Sequence, residues 1–154
     1  MSPAPPLDLI ALFDPRRVVI FPGTPAKAIV IAALAESTTE DLGVHERLAF
    51  IRAVLDREEV ASTAIGGGIA IPHARSPDIP ACRLAVGVLP SGVPWGAADG
   101  QPVRLALLIA ARESDHAEHL RVMAALAVRL HRPGLADAVC VLRDHAAIVR
   151  AIAG

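Results

Sequence analysis

Tyrosine is absent from this 154-residue chain, and aromatic residues of all kinds make up only 3% of it. One Trp and three Phe leave few surfaces on which single-stranded nucleic acid can stack. An excess of one charge is missing too. Fifteen basic residues oppose sixteen acidic ones, so no net basic field draws nucleic acid or anionic lipid. Cysteine is scarce. Cys82 and Cys140 stand far apart and in no metal-ligand spacing, which suits two reduced thiols in a cytoplasmic protein. No run of 18 apolar residues occurs, because Lys27 and Glu36 bracket the longest candidate, so direct membrane insertion is not expected. The start, MSPAPPLDLI, lacks the basic segment and long apolar core of a signal peptide. What the chain does have is Ala, Leu, Val and Ile in quantity, within a hydrophobic fraction of 53%. Its core must be aliphatic, and its length fits one domain by the prior of roughly 100–200 residues.

Residues 1–6 are proline-rich and read as a loose lead-in. Leu7 to Phe13 suits a short helix ended by Asp14-Pro15. Val18 to Phe21 is β-branched and apolar, and Pro22-Gly23 breaks it, as a strand and a turn. Thr24-Pro25 is a helix start, with Thr as N-cap and Pro at the first helical position. That helix should reach about Glu36 and pack deeply, being apolar nearly all round. After a polar loop, Ser37 to Gly43, the residues Val44, Leu48, Ile51 and Leu55 recur at helical spacing and predict an amphipathic helix ending near Glu59. Ile69-Ala70-Ile71 reads as a short buried strand stopped by Pro72. Ser76 to Ala81 is a loop. Leu84 to Leu89 and Val103 to Ala111 are near-continuous apolar runs, as strands buried on both faces should be. The intervening Pro90 to Gly100 reads as a loop. Asp115 with Glu118 resembles a capping box before a helix whose stripe is Leu120, Met123, Ala124, Ala127 and Leu130. Pro133 separates it from a helix over Leu135 to Leu142, and Asp144 caps a last one over His145 to Ile152. Alternating strands and helices predict a single α/β domain, with no internal repeat.

Residues able to do chemistry are few. In Thr63 to Arg75, TAIGGGIAIPHAR, three glycines run into the short strand, and His73 stands where that strand ends. Glycines lack Cβ, so another backbone or an anion can approach them closely. Unperturbed histidine is mostly a neutral nucleophile at pH 7. If one ring nitrogen is fixed by a backbone carbonyl, the other is free to attack phosphorus. The loose transition state of phosphoryl transfer then needs hydrogen-bond donors. Arg57, His119 and the amides of Gly66 to Gly68 are the candidates. The alternative is a turn histidine making one hydrogen bond. Arg57 also fits a surface charge paired with Asp56 or Glu58. His116 and His119 form an i, i+3 pair that could contribute to a zinc site, which would make a zinc-binding hydrolase. However, zinc signatures place His at i and i+4 with Glu between them, and a solvated helix start explains His116 equally well. The GGG run lacks the Lys and Ser/Thr of a P-loop and precedes a strand, so it fits neither nucleotide fingerprint.

Two blocks together resemble the type-2 enzyme IIA domain of the bacterial phosphoenolpyruvate-dependent phosphotransferase system, whose branches are fructose, mannitol and nitrogen-regulatory. The sharper is RE-x3-ST-x2-G-x-GIAIPHAR, from Arg57 to Arg75. The second is HLRVMAALAVRL, from His119. The likeness runs from about Leu7 to Ile152. It implies a mixed β-sheet with helices on both faces. It further implies that His73 is the phosphoryl-accepting histidine, that His119 beside it helps hold the phosphoryl group, and that Arg57 stabilises charge. The implied donor is the phosphocarrier protein HPr or a nitrogen-branch paralogue, and the implied acceptor is a IIB domain or a regulated protein. No cofactor or metal is implied. Gly67 departs from the Asn usual in the nitrogen branch, and Glu113 to Glu118 adds a polar turn before the second block. No fused IIB, IIC or HPr-like segment is evident, which leans the expectation towards a regulatory role by phosphorylation-dependent binding, with sugar-type transfer to a IIB cysteine as the alternative.

Overall fold

The two apolar runs form the spine of the molecule. The computed structural model describes residues 6–154. Of the expected lead-in over residues 1–6, residues 1–5 lie outside that range. In chain order the strands are β1 (Val18–Ile20), β2 (Ala64–Gly66), β3 (Ile69–Ala70), β4 (His73–Ser76), β5 (Arg83–Val93) and β6 (Val103–Arg112). The helices are α1 (Lys27–Ser37), α2 (Val44–Val60), α3 (His116–Leu130), α4 (Leu135–Cys140) and α5 (His145–Ala153). β5 and β6 pair antiparallel at the centre, with Leu84 opposite Ile109 and Val88 opposite Leu105. β1 lies parallel to the outer edge of β5. Along the other edge of β6 run β3 and then β4, both parallel to it, and β2 folds back on β3 as an antiparallel hairpin. The sheet is mixed, as expected.

Alternation along the spine sorts side chains into two cores. Leu84, Val86, Val88, Leu105, Leu107 and Ile109 join Val122, Leu126, Val139 and Ile148 from α3, α4 and α5. Ala85, Leu89, Ala106, Leu108 and Ala110 point the other way, onto Val30, Ile31, Leu34, Phe50 and Val54 from α1 and α2. Both faces are therefore covered by helices, which is why these strands read as unbroken apolar runs. Each fully buried Leu, Val or Ile contributes on the order of 1.5–3 kcal/mol. Gly87 lets α1 close on the sheet, since a Cβ there would stand 3.1 Å from Leu34 Cδ1 and 3.3 Å from Phe21 Cε2.

Several expectations are corrected. α1 starts at Lys27, not at Pro25, and Ala26 is its N-cap without a side-chain bond. Its first turn is anchored by tertiary contacts instead: Lys27 Nζ donates to Trp95 O at 3.0 Å and lies 3.4 Å from Glu58 Oε2. The expected helix over Leu7 to Phe13 is only a 3-10 turn, Leu9–Leu12. On α2 the buried side chains are Phe50, Val54 and Glu58, whereas Val44 and Leu48 are 68% and 61% exposed. On α3 they are His119, Val122, Leu126 and Leu130, with Leu120 and Ala124 exposed. In both helices a buried polar residue, Glu58 or His119, hid the true face from a purely apolar pattern. Pro90 to Val93 continues β5 and is not loop. Its missing N–H is accommodated where the pairing with β6 shifts register between Val88 and Val93. α4 stops at Cys140, two residues short of Leu142. The side-chain caps at Asp115 and Asp144 are present, accepting from Glu118 N at 3.0 Å and Ala147 N at 3.1 Å.

Candidate functional site

Pro72 divides in two the stretch that runs along one side of β6. Without an N–H it interrupts the ladder after Ala70, yet its carbonyl still accepts from Ile109 N at 3.0 Å, so the chain stays on β6. His73 therefore opens β4 instead of standing past a strand end. It is half-buried, and its ring is oriented locally. Nδ1 lies 2.9 Å from Ile71 O. A carbonyl only accepts, so Nδ1 carries the proton and Nε2 keeps its lone pair.

α3 brings His119 to the same place. The two imidazoles meet edge to face with centroids 5.5 Å apart. His119 is only 7% exposed, and its Nδ1 is buried without a hydrogen-bond partner. Burial is the main cause that pushes its pKa down to about 4, and the Arg75 guanidinium adds to it. His119 is thus neutral near pH 7. A buried lone pair at Nδ1 costs less than a buried orphan N–H, which favours the proton on Nε2.

Arg57 joins from the last turn of α2. Its Nη1 donates to Ala61 O at 2.9 Å, and neither Asp56 nor Glu58 pairs with it. Glu58 points inward instead. Its Oε2 accepts from Thr63 N at 2.6 Å, and its Oε1 accepts from Thr63 Oγ1 and from Trp95 Nε1 at 3.0 Å. The Glu and Thr of the RE-x3-ST block thereby hold the end of α2 against the start of β2, which fixes where Arg57 emerges.

All three expected residues line one open cleft of about 560 Å³, with Ala53, Arg75, Glu113, His116, Leu120 and Met123. Sequence reasoning assigned Arg75 no role, and weighed His116 only as a candidate zinc ligand. The residue spacing put His116 on a helix start, and only the fold shows Arg75 Nη1 at 2.9 Å from His116 Nδ1. The glycines, in contrast, do not reach the cleft. Gly67 and Gly68 form the two-residue turn between β2 and β3, with φ of 65° and 79°, the signature of a type I′ hairpin. Gly67 N–H is already committed to Asp99 Oδ2 at 3.0 Å. The turn borders a separate cavity of about 350 Å³ beside Arg104, His131 and Leu135. Among the described residues no group of three or more His, Cys, Asp or Glu is arranged to hold a metal ion, so the zinc alternative has no ligand set. No helix among them is long and apolar enough to cross a membrane.

A small α/β domain with helices on both sheet faces, and a paired-histidine cleft at one sheet edge, is what fold and site define. The chain belongs to the family described as phosphoenolpyruvate-dependent sugar phosphotransferase system EIIA 2, whose family model matches residues 11–153. Domains of this family are phosphoryl carriers. A nitrogen regulatory protein from Bradyrhizobium diazoefficiens is 32% identical over 149 residues, covering 97% of this chain and 95% of that one. A fructose-specific EIIA component from Haloferax volcanii is 31% identical, covering 82% of this chain and 77% of that one. A fructose-specific EIIABC component from Bacillus subtilis is 39% identical over 89 residues, but the matched stretch spans only 14% of that longer protein. Among solved structures, the nitrogen regulatory protein IIA-Ntr from Neisseria meningitidis superposes with a TM-score of 0.84 at 19% identity, over 94% of this chain and 98% of that one. The mannitol IIA of Escherichia coli does so at 0.70 and 20%, over 87% and 95%. These last two likenesses concern the fold.

Proposed function

We propose that His73 is the residue that carries the phosphoryl group, accepting it from phospho-HPr or a nitrogen-branch HPr paralogue in the cytoplasm. The observation that carries this reading is the Nδ1 contact to Ile71 O, which leaves Nε2 as the nucleophile in the open cleft. Nε2 attacks phosphorus, the P–N bond to the donor breaks, and the donor imidazole leaves with the electron pair. The His73 proton stays on Nδ1 throughout, donated to Ile71 O. His119, neutral with Nε2–H, donates to a phosphoryl oxygen, and Arg57 supplies positive charge. Onward transfer reverses the step at a new acceptor.

The regulatory branch is our preferred reading, because the similarity to the Bradyrhizobium protein runs nearly end to end on both chains. Phosphorylation adds about −1.5 to −2 charges to one cleft, enough to make or break a protein interface. The Haloferax relative supports sugar-type transfer as the second reading. A solved complex of mannitol IIA with phosphorylated IIB has a related fold, with a TM-score of 0.72, and a IIB domain is the acceptor in that second reading.

The test supplies labelled phosphoenolpyruvate, enzyme I and HPr. Acid-labile, base-stable label is expected on the protein and absent from His73→Ala. Label that survives this substitution removes the assignment.

A further inference from the structure

The cleft holds a second guanidinium besides Arg57. Arg75 lies two residues beyond His73 on β4, so strand alternation puts both on one sheet face, with Ala74 buried on the other. The register agrees. His73 stands opposite Ile109 and Arg75 opposite Ala111, and both partners face the α3 side. Arg75 Nη1 meets His116 Nδ1 at 2.9 Å. A guanidinium only donates, so His116 is here a neutral acceptor. Among the described residues no carboxylate stands within ion-pair distance of Arg75, although Glu113 lines the same cleft. A full positive charge is thus held beside His73 by a neutral ring.

We infer that Arg75 is a second phosphoryl-binding residue, held by His116 in the unphosphorylated protein and handed to the phosphoryl oxygens once His73 bears the group. This rests on the carrier reading above. A guanidinium is attracted more strongly to a charged phosphoryl oxygen than to a neutral ring nitrogen, and its fork suits two oxygens at once. The exchange breaks no covalent bond and moves no proton. His116 Nδ1 gives up the Arg75 N–H and turns to water, which its exposed position allows.

The two residues should therefore act with opposite sign on one quantity, the equilibrium partition of the phosphoryl group between HPr and His73. Arg75→Gln is expected to move the partition towards HPr by tenfold or more, and Arg75→Lys to recover part of that loss. His116→Ala removes the competing partner and should move it a few-fold the other way. In wild-type protein labelled with ¹⁵N at histidine, phosphorylation should shift His116 Nδ1, and Arg75→Gln should abolish that shift. Label on His73 with an Arg75→Gln partition within twofold of wild type overturns this inference and leaves the carrier reading standing. His116→Ala shifting tenfold in the same direction as Arg75→Gln overturns the exchange. Absence of label on His73 overturns both the reading and the inference.

Discussion

Replacing Glu58 with Gln should be the most damaging isosteric change in the protein. The carboxylate is buried and accepts from Thr63 N, Thr63 Oγ1 and Trp95 Nε1, with Lys27 Nζ 3.4 Å away. Every group facing it is a donor, so an acceptor-only side chain is required. An amide turns one oxygen into an NH2 group. Placed at Oε2, that group opposes Thr63 N–H and the Lys27 ammonium. Placed at Oε1, it opposes Trp95 Nε1–H, although the Thr63 hydroxyl can rotate to accept. The second orientation costs less. It loses one charge-assisted bond of about 1.5–3 kcal/mol, strands the indole N–H for a further ~1 kcal/mol or more, and leaves Lys27 without its counter-charge. The sum is about 3–4 kcal/mol, a large part of the roughly 5–15 kcal/mol typical of a domain. At about 2–4 °C per kcal/mol, Tm should fall by about 10 °C. Trp95 is the sole Trp of the chain and is itself in the network, so urea unfolding followed by its fluorescence reads the change directly. The midpoint should drop with the slope unchanged. A loss below about 1 kcal/mol refutes the idea that this carboxylate ties α2 to β2 and to the Trp95 loop.

Other expectations follow from single groups. His119 has its pKa lowered from the ordinary 6.5 to about 4, so the unfolded chain binds its proton before the native one does. Stability from this group is complete above about pH 6.5 and falls as pH drops towards 4, by at most about 3 kcal/mol; His119→Gln should flatten that part of a pH-stability curve measured by denaturant. Cys82 is buried, and that burial raises its thiol to about 12, so a thiol reagent should leave it unmodified until the protein is unfolded. Gly87→Ala should cost about 1–3 kcal/mol by pushing on Leu34 and Phe21. Gly67→Asn should cost under about 1 kcal/mol, because nothing lies within 4 Å of its Cβ position and Asn tolerates φ of 65°.

The candidate site was legible in the sequence only in part. His73 was legible because a proline, a short apolar run and a histidine sit within a few residues and set the local geometry directly. His119 and Arg57 were candidate donors by residue type, but only the family resemblance set them beside His73. Their own neighbourhoods suggested a helix face and a surface charge, and the three meet only because β4 is edged between α2 and α3. The glycines were over-read. They carry the hairpin turn between β2 and β3 outside the His73 cleft, and the Gly67 amide donates to Asp99. Arg75 and His116, 41 residues apart, had no local signal that could pair them.

By itself the sequence determined whatever depends on neighbours along the chain. The near-continuous apolar runs at 84–89 and 103–111 read as strands covered on both faces. Asp115 and Asp144 set helix starts because a cap bond reaches just three residues. Tertiary structure decided the phase of the helices and the partners of their polar groups. Helical periodicity states that α2 and α3 have an inner face, but contact with the sheet selects Phe50, Val54 and Glu58 on one and His119, Val122 and Leu126 on the other. A buried carboxylate or imidazole is stable there only when donors or a closed cleft from other elements surround it, and no stretch of local sequence encodes that arrangement.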